Sequence, residues 1–119
     1  MKFQFKEAYT LEERKKEYQK VVQEHPGKIG IICEKAPKSP IEEIKKTKYL
    51  VGEEIKLGQF SEIIRKKIKM EKQSAIFLLA NGKISLTGDE TMIDIYKKYK
   101  DEDGFLYIAY ASEEVWGKI

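Results

Sequence analysis

Nucleophiles, acids, bases and metal ligands are the side chains that do chemistry, and this chain offers few that could act together. Cys33 and His25 are its one cysteine and one histidine, so they are the sole candidates for a Cys–His pair. Cys33 alternates with Ile29 and Ile31 in a strand-like run, which reads better as a buried, inert thiol. His25 stands before Pro26 at the end of a helical stretch, where it meets the helix dipole or water. There is no CxxC and no second histidine, so no metal or other cofactor is expected. The glycines are scattered and form no phosphate loop. The acidic residues fall on helix exteriors and in turns, as a solvated face does. These letters describe a binding protein rather than an enzyme.

Two stretches suggest binding chemistry. In "KTKYLVGEE", the residues Lys48-Tyr49-Leu50-Val51 read as a strand whose side chains alternate between two faces. A strand this early in a sheet is often an edge, and unpaired N–H and C=O groups invite a partner strand. Lys45, Lys46 and Lys48 flank it, and Lys28 begins the neighbouring strand. Edge lysines also guard against aggregation, so docking and protection both remain open readings. A docked peptide would be extended and acid-flanked, with apolar anchors at alternate positions. The second stretch is the tail "SEEVWGKI", where Trp116 directly precedes Gly117, with only Lys118 and Ile119 beyond. A large ring and a flexible glycine are unusual where disposable polar residues are the rule.

The 119 residues suit one domain. They are 41% hydrophobic and 36% charged, against a usual charged share of about 25%. The 23 basic and 20 acidic residues leave a net charge of only +3, less lopsided than a nucleic-acid domain usually is. No apolar run approaches the ~20 residues that span a bilayer. The start has no long apolar segment of the secretory kind. With a single cysteine, these features point to a reducing, cytosolic setting.

The elements that must position such a surface can be read in order. Residues 2–8 form one short helical segment. "TLEERKKEYQKVVQEHPG" is a helix with Thr10 and Glu13 as a capping box. Its thin apolar stripe of Leu11, Tyr18, Val21 and Val22 places it on the outside of the fold. A strand over 28–34, a loop over 35–44 and a strand at Lys48–Val51 follow. The strongest helix spans 57–70, with Phe60, Ile63 or Ile64, and Ile68 at helical spacing. "SAIFLLANGKISL" reads as a strand, an Asn81-Gly82 turn and a short return strand. A helix over 89–100 turns Met92, Ile95, Tyr96 and Tyr99 inward, and 105–111 is a continuously apolar strand suited to a central position. Strands and helices in the order ββ-α-ββ-α-β give an α+β, ubiquitin-like β-grasp fold with two additional N-terminal helices. The chain divides into a helical extension over 1–26, a core over 27–112 and a flexible tail over 113–119.

The ordered set "MKFQFKE", "ICEKAPKS", "KYLV", "GQF" with "IRKKI", "AIFLLANG", "IYKKYKDEDGFLYIAY" and the terminal aromatic-glycine resembles the autophagy-related protein 8 family. These are ubiquitin-like modifiers that include the GABA-receptor-associated proteins and microtubule-associated protein light chain 3. The likeness runs end to end and leans toward the GABA-receptor-associated branch. It implies that a processing cysteine protease trims the chain after Gly117, with Trp116 as its anchor. E1-like and E2-like enzymes would then pass the new carboxylate to the amine of phosphatidylethanolamine. The protein would be cytoplasmic, and peripheral on autophagosome and vacuole or lysosome membranes once lipidated. It would recruit cargo receptors that carry aromatic-x-x-aliphatic motifs.

The same resemblance implies an aromatic pocket on Glu17, Val21, Ile32, Lys48, Leu50 and Phe105, and an aliphatic pocket on Tyr49, Val51, Ile55, Phe60 and Ile63. Lys28, Lys46, Lys48 and Lys67 match positions that attract the acidic residues preceding the motif. This chain departs from the family in having Gly30 and Gly52 where proline is common, which makes both places more flexible and less apolar. "KISLTGDE" also replaces a proline-containing segment. The runner-up reading is a non-conjugated adapter of the same fold that binds tubulin or trafficking proteins through the basic N-terminal helices. A third is a nucleic-acid binder using "ERKKEYQK" and "IRKKIKMEK"; the charge balance argues against nucleic acid as a partner.

Overall fold

A computed structural model of the chain describes residues 1–69 and 75–112. In chain order the elements are α1 (Gln4–Ala8), α2 (Leu11–Glu24), β1 (Lys28–Lys35), β2 (Lys48–Gly52), α3 (Leu57–Ile68), β3 (Ile76–Ala80), β4 (Ile84–Ser85), α4 (Met92–Tyr99) and β5 (Leu106–Ser112). The strands form one sheet in the order β2-β1-β5-β3-β4. β1 and β5 run parallel, and the other neighbours are antiparallel. This is the α+β, ubiquitin-like arrangement expected from the letters, with β5 at the centre. Leu106 through Ala111 are all buried, because both sheet faces are covered, and that explains the unbroken apolar run.

One face carries the larger core. Ile29, Ile31 and Cys33 of β1, Tyr49 and Val51 of β2, and Leu106, Ile108 and Tyr110 of β5 pack against Phe60, Ile64 and Ile68 of α3 and Met92 and Ile95 of α4. The helical spacing of α3 left Ile63 and Ile64 equivalent; Ile64 is fully buried and Ile63 half-buried. Tyr96 and Tyr99 are likewise half-buried at the margin. The opposite face carries a second core of Phe3, Ile32, Leu79, Phe105, Tyr107 and Ala109, with Phe5 and Tyr18 against it. The two N-terminal helices therefore cover a sheet face. The expected capping box of α2 forms: Glu13 N donates to Thr10 Oγ1 at 3.2 Å, and Thr10 N donates to Glu13 Oε1 at 2.8 Å. Its apolar stripe is narrower than expected, because Val22 is exposed while Val21 is buried.

The reading of the acidic residues as a solvated face needs correction at two of them. Glu34 and Asp103 are buried. Glu34 accepts hydrogen bonds from Gln4 N at 2.6 Å and Phe5 N at 3.1 Å, at the start of α1. Asp103 accepts from Arg14 Nε at 2.8 Å, Tyr107 OH at 2.6 Å and Phe105 N at 2.7 Å. Beside it, Lys6 Nζ donates to Asp101 Oδ1 at 2.6 Å. α1 and α2 are thus tied to the turn before β5 by two ion pairs. Burial, and then the bond to Asp103, hold the Tyr107 phenol above its ordinary value. The loop between β1 and β2 is pinned as well: Tyr110 OH accepts from Ile44 N at 2.8 Å and donates to Glu42 O at 2.9 Å.

Candidate functional site: an open strand edge with an apolar surface on each face

β2 is the last strand on its side of the sheet. Its inner groups pair with β1, placing Val51 opposite Ile29, Leu50 opposite Gly30, Tyr49 opposite Ile31 and Lys48 opposite Ile32. Among the described residues no strand covers the outer edge, so backbone donors and acceptors are available there. Strand alternation sends Tyr49 and Val51 to the α3 face, and Lys48 and Leu50 to the α2 face. The two residue groups expected from the sequence therefore fall on opposite faces of this one edge.

On the α2 face, Ile32 and Phe105 are fully buried and Val21 nearly so. Leu50, Glu17 and Lys48 form the half-buried rim. Lys48 Nζ and Glu17 Oε1 lie 2.5 Å apart, and this hydrogen bond holds the Glu17 carboxyl below its ordinary value. Lys48, expected to attract acidic residues, is thus already paired with Glu17. Tyr18 belongs to the same region, although the sequence marked it only as a helix-stripe residue. Its ring meets Phe105 edge-on at 5.2 Å between centroids. Its hydroxyl lies 2.6 Å from that of Tyr96, which donates to Gly104 O at 2.7 Å.

On the α3 face, Phe60 is fully buried, and Tyr49 and Val51 are nearly so. They form the floor, while Ile55 and Ile63 are half-buried at the rim. Tyr49 meets Phe60 edge-on at 6.0 Å, and Lys46 Nζ lies 5.4 Å from the Tyr49 ring centroid. Lys67 is exposed on α3 one turn beyond Ile63, on the same side of that helix. Lys28 begins β1 opposite Gly52. Leu50, Ile55 and Ile63 are therefore the half-buried apolar side chains along this edge, with Lys28, Lys46, Lys48 and Lys67 on the same surface. Trp116 and Gly117, expected as the cleavage and conjugation point, lie outside the described residues.

The family described as "Autophagy protein Atg8 ubiquitin like" matches residues 13–117. The chain belongs to the Atg8 family of ubiquitin-like autophagy proteins. It is 41% identical over 119 residues to autophagy-related protein 8 of Vanderwaltozyma polyspora, covering 100% of both chains. It is 42% identical over 119 residues to autophagy-related protein 8 of Schizosaccharomyces pombe, covering 100% of this chain and 98% of that protein. Among solved structures, the crystal structure of Trypanosoma brucei ATG8 superposes with a TM-score of 0.89 at 41% identity, covering 95% of this chain and 97% of that one.

His25 is the exposed C-cap residue of α2, its N–H donating to Val21 O. Cys33 is fully buried, and burial, then the Glu34 charge, push its thiol far above the ordinary value. Among the described residues no three His, Cys, Asp or Glu side chains are placed to hold a metal ion. No described helix is long and apolar enough to cross a membrane.

Proposed function

We propose that this Atg8-family chain is a modifier rather than an enzyme. A processing cysteine protease frees the Gly117 carboxylate by removing Lys118-Ile119. E1-like and E2-like enzymes then carry it as a thioester, formed at the expense of a nucleoside triphosphate, to phosphatidylethanolamine, whose amine displaces the enzyme thiol and forms the amide. The cytoplasmic protein becomes peripheral on autophagosome and vacuole or lysosome membranes. There its β2 edge recruits cargo receptors through extended aromatic-x-x-aliphatic segments. The observation that carries this reading is the open edge of β2, with an apolar floor and half-buried rim on each face. The family match, whose last matched residue is 117, supports the tail chemistry.

Strand addition makes the geometry chemically sensible. Backbone groups of β2 pair with the peptide backbone regardless of its sequence, while alternate side chains reach the two pockets. Leu50→Ala removes the rim of the α2-side pocket and leaves the fully buried residues beneath in place. We expect it to weaken an aromatic-x-x-aliphatic peptide by about 1–2 kcal/mol, as truncation of a central anchor does. Titration calorimetry checks this, and unchanged affinity with the fold intact places the binding surface elsewhere.

Charge acts mainly on the rate. Exposed Lys46 and half-buried Lys48 border the strand, and rim charges steer encounter more than they hold the complex. Changing both to Glu is expected to slow association with an acid-flanked peptide by about tenfold at low salt. The wild-type on-rate should fall as salt rises. Stopped-flow kinetics independent of ionic strength would remove this role.

A further inference from the structure

Gly52 ends β2 outside the left-handed region of the backbone map. A Cβ placed on it would meet nothing nearer than Ile55 Cγ2 and Lys28 Nζ, each at 4.0 Å. Neither conformation nor space demands glycine here. The family resemblance implies proline at this place, and proline lacks the backbone N–H. What this chain gains at position 52 is therefore a hydrogen-bond donor.

The ladder fixes where that donor points. Opposed residues of antiparallel strands alternate between pairs that exchange hydrogen bonds and pairs whose N–H and C=O groups face away from each other. Cys33 N donates to Thr47 O at 2.8 Å, which sets the phase for the register that follows. Tyr49 and Val51 therefore bond inward to Ile31 and Ile29, while Lys48, Leu50 and Gly52 turn their backbone groups to the open edge. Two further bonds agree with this phase. Ala36 N of the β1 side donates to Tyr110 O of β5 at 2.9 Å, and Lys28 N, opposite Gly52, donates to His25 O at 3.2 Å. The Gly52 carbonyl accepts from Ile55 N at 3.4 Å, so what Gly52 offers the edge is its N–H.

The two apolar surfaces set the direction of a docked segment. The α2-face residues gather around Lys48 and Leu50, and the α3-face residues around Val51 and Ile55, nearer the end of the strand. A segment whose aromatic anchor comes first and whose aliphatic anchor comes three residues later therefore runs parallel to β2. With the aromatic anchor beside Lys48, the second residue after it lies beside Leu50 and the fourth beside Gly52. Parallel bonds are slanted, so each outward N–H reaches the carbonyl of the residue before the one beside it. For Gly52 that residue is the aliphatic anchor itself. We propose that the Gly52 N–H is a third backbone donor of this edge, that it holds the backbone carbonyl of the aliphatic anchor, and that it thereby selects partner segments that stay extended beyond that anchor. This rests on the reading of the β2 edge as the peptide site.

The test uses the isotope-labelled full chain and two peptides. One is Asp-Asp-Trp-Ala-Ala-Leu-Ala-Ala; the other replaces its Leu-Ala amide with an ester, whose carbonyl is the poorer acceptor. Gly52→Pro should weaken the amide peptide about fivefold, the scale of one net hydrogen bond. Gly52→Ala keeps the N–H and should stay within about twofold of wild type. The ester should cost wild type about threefold and cost Gly52→Pro nothing further, because the bond it weakens is already gone. An ester that costs both proteins equally overturns the proposal, as does a folded Gly52→Pro that binds like wild type. Amide hydrogen exchange reads the donor directly in the unsubstituted chain, and it decides should Gly52→Pro fail to fold. Bound peptide should slow exchange at Gly52 by about tenfold or more, as at Lys48 and Leu50. Protection at Lys48 and Leu50 with none at Gly52 overturns the proposal and sustains the edge site. Protection at none of the three removes the edge site itself.

Discussion

Replacing Asp103 with alanine is expected to destabilise the fold by about 3–5 kcal/mol, the cost of breaking a buried ion pair from one side. The Asp103 side chain is completely buried and its partner Arg14 is only 11% exposed. Without the carboxylate, a largely buried guanidinium loses its ionic partner and keeps only the hydrogen bond from Nη1 to Tyr9 O. Tyr107 OH and Phe105 N lose their acceptor too, and each buried orphan adds a penalty. Asp103→Asn keeps the shape and one acceptor, so it should cost less. Exposed Glu102 next door is the control, and Glu102→Ala should stay within about 0.5 kcal/mol of wild type. Urea unfolding gives the comparison: the midpoint should fall with the slope unchanged. A loss below about 1 kcal/mol for Asp103→Ala would mean that α2 is held by other contacts.

That network also shows where the sequence is legible and where it is not. The central place of β5 follows from an unbroken apolar run, and the edge position of β2 from its place in the order of elements. Both depend on local patterning, which a single chain displays. The burial of Asp103 depends on Arg14, 89 residues away, and "DEDG" read alone is an ordinary polar turn. Glu34 is similar: its partners, Gln4 and Phe5, lie about 30 residues earlier. Helical spacing alone could not separate Ile63 from Ile64, because the stripe is wider than one residue. For the candidate site, the expected residues follow from the family resemblance rather than from spacing, and strand alternation in the fold sorts them onto two faces. The pairing of Lys48 with Glu17 is a contact across elements, which spacing does not encode. Tyr18 was visible only as an apolar position on a polar helix, with nothing to say that its hydroxyl reaches Tyr96.

The largest functional effect should come from Gly117. Under the proposed conjugation, an amide to a lipid amine requires a free carboxylate on Gly117, and in this sequence Lys118-Ile119 follows it. On that proposal, removal of Lys118-Ile119 comes first. A chain stopping at Gly117 should bypass the protease and still be conjugated. Gly117→Ala puts a Cβ into sites shaped around a bare Cα, and we expect lipidation to fall by more than tenfold, the scale of crowding costs at a reacting centre. Reconstitution with purified conjugation enzymes and phosphatidylethanolamine vesicles, read by gel mobility and flotation, separates these outcomes. Equal lipidation of Gly117→Ala and wild type would favour a soluble adapter of the same fold.

The most direct test of the central claim is intact-protein mass spectrometry of the chain isolated from its own cells under starvation. The account predicts a mature species that ends at Gly117, together with a membrane-bound fraction heavier by one phosphatidylethanolamine joined through that carboxyl. A membrane fraction that retains Lys118-Ile119 and carries no lipid would contradict it.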